Sequence, residues 1–171
     1  MMENKINCLS ADNNLLLPAG NGNRLICEAT ETFKYIDPDF IKLGINKKPN
    51  VTAAKILVDV HEVFDNSSFI NLFRLLPGAW EQKWLSQSQL IDFCQIWPEW
   101  LDKTFYGALF LLKIDENAPI MEKLGDNLAI AYVQSNRDGL HVLVRRPEHG
   151  RIWNRECQRL IVVPRTTLMN N

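Results

Sequence analysis

The sequence is poor in the patterns by which small proteins announce a chemistry. Its four cysteines, Cys8, Cys27, Cys94 and Cys157, include no Cys-x-x-Cys pair and no cluster with histidine at ligand spacing. Local spacing therefore predicts no tetrahedral zinc site, no other metal and no cofactor. No run approaches the roughly 20 apolar residues of a membrane span. The opening Met1-Met2-Glu3-Asn4-Lys5-Ile6-Asn7 lacks a basic stretch followed by an apolar one. A cytoplasmic protein with reduced thiols and no membrane partner is expected. In that setting the sequons Asn50-Val51-Thr52 and Asn66-Ser67-Ser68 carry no glycan.

Nucleotide and nucleophile signatures are missing too. Gly20-Asn21-Gly22-Asn23 has neither a third glycine in register nor the Lys-Ser/Thr of a phosphate loop, and reads as a turn. Ser86, Ser88 and Ser135 sit in no nucleophile elbow, and none of the three histidines has a sequence-local serine or cysteine beside it.

What is present suits one globular domain. The chain has 171 residues, 46% hydrophobic and 23% charged, the size of one domain with a substantial core and too little for a second full domain. Its net charge of -1 conceals a split: residues 1–135 carry 12 basic and 17 acidic side chains, residues 136–171 seven basic and three acidic. All seven of those late bases are arginine, the planar fork suited to carboxylate, phosphate and aromatic faces.

Along the chain, residues 1–32 form a poorly defined N-terminal segment, with a short hairpin expected around Leu15-Leu16-Leu17 and Leu25-Ile26-Cys27. Residues 33–103 read as mainly helical. Asp37-Pro38 begins a short helix that Gly44 ends. From Thr52, the positions Ala53, Ile56, Leu57, Val60, Val63 and Phe64 fit a helical period. Phe69 to Leu76 is a second helix, stopped by Pro77-Gly78. Ser86 with Gln89 makes a capping box for a third, whose stripe is Leu90, Phe93, Cys94 and Trp97, and Glu99-Trp100-Leu101 adds a turn.

After Lys103 the period falls to about 2. Strands are expected over Phe105 to Ile114, Ile120 to Leu124, Leu128 to Val133, Leu140 to Arg146 and Arg159 to Val163, with Asp138-Gly139 in a tight turn. The expected fold is a single α+β domain: N-terminal helices packed on one face of a C-terminal antiparallel β-meander over residues 104–165, followed by a tail at 166–171. The other sheet face would meet solvent or a ligand.

Tyr35-Ile36-Asp37-Pro38-Asp39-Phe40, the helix start over Leu85 to Phe93, Phe110-Leu111-Leu112-Lys113, Asp138-Gly139-Leu140, Arg145-Arg146 and Arg159-Leu160-Ile161-Val162-Val163-Pro164 together resemble a set of short bacterial proteins of unassigned function. The resemblance covers roughly residues 33–165, departs from the pattern around Pro119 to Asn127, and implies a bacterial cytoplasmic setting without implying an activity.

Three constellations bear on function. His61-Glu62-Val63-Phe64-Asp65 is a zinc-protease helix signature with Asp in place of the second histidine; with no third ligand evident, a solvated polar face is the expected reading. Trp80, Trp84, Trp97 and Trp100, at helical spacings, are expected in packing. Trp153 lies between Arg151 and Arg155, and Arg159 follows four residues on, so the three arginines point the same way in a strand or a helix. On the preceding strand His141 and Arg145 fall on the face away from Leu140, Val142 and Val144.

Arg145, Arg151, Trp153, Arg155, Arg159 and His141 thus form an expected ligand-binding face, with Glu148 and Glu156 as possible ion-pair partners. The leading functional reading is a non-enzymatic accessory module presenting that face to a polyanion, first single-stranded nucleic acid, or to an acidic protein partner. A second reading is a small metal-free hydrolase or transferase with His141 or His61 as base. A third is a protein-interaction module.

Overall fold

A computed structural model describes residues 6–20, 22–47, 54–64, 66–102, 107–113, 127–147, 152–153 and 160–166, with backbone alone at 102, 152 and 153. The elements run β1 (Ile6–Cys8), β2 (Leu15–Leu17), β3 (Tyr35–Ile36), α1 (Asp39–Lys42), β4 (Ile56–Val63), β5 (Ser67–Ser68), α2 (Phe69–Leu75), β6 (Trp84–Leu85), α3 (Gln87–Ile96) and α4 (Glu99–Asp102). Then follow β7 (Ala108–Lys113), β8 (Leu128–Asn136), β9 (Gly139–Arg145), β10 (Ile152–Trp153) and β11 (Leu160–Pro164).

Nine strands join one mixed sheet in the order β1-β4-β11-β7-β8-β9-β3, with β2 also on β4 and β6 also on β7. β10 and β5 pair separately. The pairs β7·β8, β8·β9, β1·β4, β2·β4 and β11·β4 are antiparallel, whereas β11·β7, β6·β7 and β3·β9 are parallel.

This corrects the expected α+β fold of N-terminal helices on a C-terminal antiparallel meander. The sheet recruits strands from both halves, it is mixed, and the helices among the described residues are four and short. The largest single error is β4. Its residues satisfy a helical template, yet Ile56, Val58, Val60 and Val63 are β-branched, stiff side chains that pack well on a pleated surface. Val58, Asp59, Val60 and His61 alternate as a strand does, but Ile56-Leu57 and Glu62-Val63 interrupt the alternation at each end, so the apolar positions also fit a helical template. Nearer the N-terminus, the expected partner of Leu15–Leu17 is wrong too. Ile26–Glu28 is a 3₁₀ turn, and β2 pairs with β4 instead. Trp80 stands in a second 3₁₀ turn and Trp84 in a strand, not on one helix. The expected strand at Ile120 to Leu124 lies outside the described residues.

Both sheet faces are covered, which overturns the expectation of one open face. Val58, Val60, Ala108, Phe110, Leu112, Ala129, Ala131, Val133, Val142, Val144, Leu160 and Val162 face α3, whose Leu90, Ile91, Phe93 and Cys94 are buried against them. The intervening Val63, Leu109, Leu111, Ile130, Tyr132, Ile161 and Val163 face α2 through Phe69, Leu72 and Phe73. Alternate side chains thus feed opposite cores, which is why β7, β8 and β11 read as nearly unbroken apolar runs. Phe93 meets Phe110 edge-on, ring centroids 5.5 Å apart, an arrangement that the ring quadrupoles favour.

Local signals hold where polar groups close them. Ser86 Oγ accepts from the Gln89 N–H and the Gln89 side chain accepts from the Ser86 N–H, the expected capping box of α3. Gln87, buried one step on, accepts from the Ile26 N–H and donates to the Ile45 carbonyl, tying the N-terminal segment to the helix. The β8–β9 hairpin turns through Arg137 and Asp138, with Asn136 opposite Gly139 at φ 134°, a value that favours glycine.

Candidate functional site

Of the six residues of the expected arginine and tryptophan face, His141 and Arg145 are the two described with their side chains. Arg151, Arg155 and Arg159 lie outside the described residues, and Trp153 is described by its backbone in β10 alone. His141 and Arg145 do lie on the face away from Val142 and Val144, but each has a partner within the protein. His141 Nε2 is 2.9 Å from Asp138 Oδ1 and its ring lies against Tyr35, centroids 5.5 Å apart. Arg145 Nη1 donates to Asp37 Oδ2 at 2.9 Å and to the Val144 carbonyl. Asp37, only 6% exposed, also accepts from the Val144 and Asp39 N–H groups, so this ion pair locks β3 and the start of α1 onto β9. Here the arginine does the structural work of an edge clamp.

The grouping that does form lies at the opposite edge. β1 pairs with β4 so that Cys8 stands opposite His61, and in a strand His61 shares a face with Asp59, two residues earlier. Cys8 Sγ, a His61 ring nitrogen and an Asp59 carboxylate oxygen all lie within 4.8 Å of one another. The helical pairing of His61 with Asp65 is thereby replaced: β4 is a strand, and Asp65 lies outside the described residues.

Backbone geometry explains the grouping. Two short strands, β1 and β2, cover the β4 edge, and between them the chain leaves the ladder. Leu9 N–H still donates to the Val60 carbonyl at 2.8 Å, but the Val60 N–H has no strand opposite and donates to Ser10 Oγ at 2.8 Å. A buried amide must find an acceptor, and a serine hydroxyl supplies one. Ser10, fully buried, then donates to Asp59 Oδ1 at 3.3 Å, and Cys8 Sγ lies 4.0 Å from its oxygen. With its single proton committed to Asp59, Ser10 can only accept from the Cys8 thiol.

Arg165, just beyond β11, fixes the carboxylate from the other side. Its Nε and Nη2 approach Asp59 Oδ1 at 2.8 and 2.7 Å, while Nη2 also meets the Ser10 and Asn13 carbonyls. These bonds and that of Ser10 all fall on Oδ1; Oδ2 takes none of them.

Electrostatics set His61 apart. It is 7% exposed, and burial pulls its pKa below 6.5 against a smaller upward pull from Asp59, so the imidazole is neutral near pH 7. The other described thiols are in unlike settings. Burial and then Glu28 push the Cys27 thiol up, and full burial pushes Cys94 up much further, which keeps both in the unreactive protonated form.

Sequence spacing missed this site because Cys8 and His61 are far apart in the chain and meet only through strand pairing. No family model, curated protein or solved structure matches the chain. No helix among the described residues is long and apolar enough to cross a membrane.

Proposed function

We propose that the protein is a small thiol-dependent hydrolase or transferase acting on an activated acyl group, with Cys8 as nucleophile and His61 as base. The observation that carries this reading is the meeting of a half-buried thiol, a neutral imidazole and an anchored carboxylate within 4.8 Å. It takes up the expected alternative of a small hydrolase or transferase with His141 or His61 as base, chooses His61 as that base and adds a nucleophile. The polyanion reading gains no such support, since Arg145 and His141 are engaged within the protein.

The Cys8 proton passes to the His61 ring nitrogen, and the thiolate adds to the acyl carbon. The leaving group then departs with the proton carried by the imidazolium, leaving a thioester. Water or a second nucleophile cleaves the thioester with His61 again accepting the proton. Asp59, held by Arg165 and Ser10, favours the imidazolium as it forms. Separations between catalytic groups run long without substrate and tighten when it binds. A reduced Cys8 requires a reducing compartment, so the reading includes a cytoplasmic setting.

The test is burst kinetics with p-nitrophenyl acetate on reduced protein in the presence of a chelator. One equivalent of nitrophenolate should appear rapidly, with the acetyl group mapped to Cys8 by mass spectrometry. His61→Asn should slow the burst by about 100-fold, the usual contribution of a general base. Acetylation of Cys27 as fast as Cys8, or a burst unchanged by His61→Asn, would overturn the assignment.

A further inference from the structure

The same three side chains are a donor set for a metal ion, a role independent of acyl transfer. Around a tetrahedral zinc, ligand bonds of about 2.0–2.3 Å put donor atoms roughly 3.5 Å from one another. Cys8 Sγ, the His61 nitrogen and the Asp59 oxygen already lie within 4.8 Å of one another, so side-chain rotations alone bring them to an ion. The backbone need not move, because Cys8 and His61 are register partners in an antiparallel pair and Asp59 is on the same face of the same strand.

Two further features suit the role. Ligand carboxylates work best when an outer group orients them. Here Ser10 and Arg165 hold Asp59 by Oδ1, and Oδ2 receives none of those bonds. The site is also closed on one side by the sheet and carries three protein donors, which leaves a fourth position for water or a small ligand. Thiolate, imidazole and carboxylate together select a borderline-soft ion such as Zn²⁺ over Mg²⁺ or Ca²⁺, which prefer all-oxygen sets.

We propose that Cys8, Asp59 and His61 bind one Zn²⁺ ion, and that occupancy withdraws the thiol from nucleophilic chemistry. Binding exchanges the Cys8 S–H bond for a sulfur–zinc bond and releases one proton to solvent. The sulfur lone pair that would attack an acyl carbon is then held by the metal, so zinc acts as a reversible cap on the site.

The experiment uses the full chain, reduced and freed of metal. Titration with Co²⁺ should saturate at one equivalent and produce a thiolate-to-cobalt charge-transfer absorption that Cys8→Ser abolishes. Zn²⁺ should displace Co²⁺ from the native chain. A second measurement needs no variant: one equivalent of Zn²⁺ should suppress iodoacetamide alkylation of Cys8 in proportion to occupancy, because the thiolate that attacks is held by the metal. The rate at Cys27 should not change. The proposal is overturned if the cobalt spectrum lacks the thiolate band, if Cys8→Ser retains it, or if Zn²⁺ leaves Cys8 alkylation untouched. Because the acylation burst is read with chelator present, the two ideas fail separately. A Cys8 that binds zinc but never acylates removes the catalytic reading, and one that acylates but ignores zinc removes this one.

Discussion

At the scale of single residues, the two best-placed arginines are anchors, and what they anchor differs. Arg145 with Asp37 closes the β3 edge of the sheet, and Arg165 with Asp59 closes the other and orients a group of the candidate site. Asp37→Ala removes acceptors from the Val144 and Asp39 amides and leaves Arg145 without its carboxylate. A loss of about 2–3 kcal/mol is expected, toward the upper end for a charge-assisted network, read as a lowered urea midpoint with unchanged slope. Asp37→Asn, which keeps one oxygen, should lose less. If Asp37→Ala were neutral in stability, the ion pair would be incidental and Arg145 would be available for a ligand after all.

Between elements, the distinction that matters is between strands with a turn signal and strands without one. β7, β8, β9 and β11 were readable as strands because the hydrophobic period falls to about 2 after Lys103, with Asp138-Gly139 marking the β8–β9 turn and Pro164 the end of β11. β4 was not readable as one because Ile56-Leu57 and Glu62-Val63 break the apolar and polar alternation of Val58-Asp59-Val60-His61 at each end, leaving apolar positions that also fit a helical period. Its content of isoleucine and valine was a second signal for a strand. Ser86 and Gln89 marked the start of α3 correctly because a capping box is closed by residues three apart and needs no tertiary partner. The candidate site had no local signal: its three residues belong to two strands, and β1 cannot be assigned to β4 from either sequence alone.

Two substitutions test this element-level account. Ser86→Ala should cost about 1 kcal/mol in a denaturant titration, the usual value of an N-cap oxygen. Gly107→Ala should cost more. A Cβ built at Gly107 would overlap the Cε2 and Cζ edge of the Tyr132 ring, so the tyrosine or the start of β7 must move. Overpacking of that kind costs about 1–3 kcal/mol. A Gly107→Ala protein as stable as the native one would show that the Tyr132 ring does not lie over the glycine.

For the whole molecule, the buried histidine links stability to pH. Well above pH 6.5 the His61 imidazole is neutral in both the folded and the unfolded chain, and contributes no dependence. Below 6.5 the unfolded chain takes up a proton that the buried ring resists, so the unfolded state binds more protons and stability falls with pH. The loss grows until the depressed folded pKa is passed and is then constant. Melting temperatures compared at pH 7 and pH 5 with chelator present should fall more for the native chain than for His61→Gln, which lacks the titrating group. An equal fall in both would assign acid sensitivity to other residues.

The position of β11 has a consequence for how the chain is made. Although it is the last strand described, it lies inside the sheet, antiparallel to β4 on one side and parallel to β7 on the other. β1, β2 and β4 can associate early during synthesis, and so can β6, β7, β8, β9 and β3, but the two groups share no pairing with each other until Leu160–Pro164 is inserted between them. On a ribosome moving at about 5–20 residues per second, the two half-sheets should therefore share the face of α3 but no strand ladder, each with an open edge, until residues 160–166 have left the exit tunnel. Arg165 emerges with them, so the Asp59 carboxylate gains its guanidinium only at that moment. A nascent chain truncated before Leu160 should be digested by protease throughout, while one carrying Arg165 clear of the tunnel should abruptly resist it.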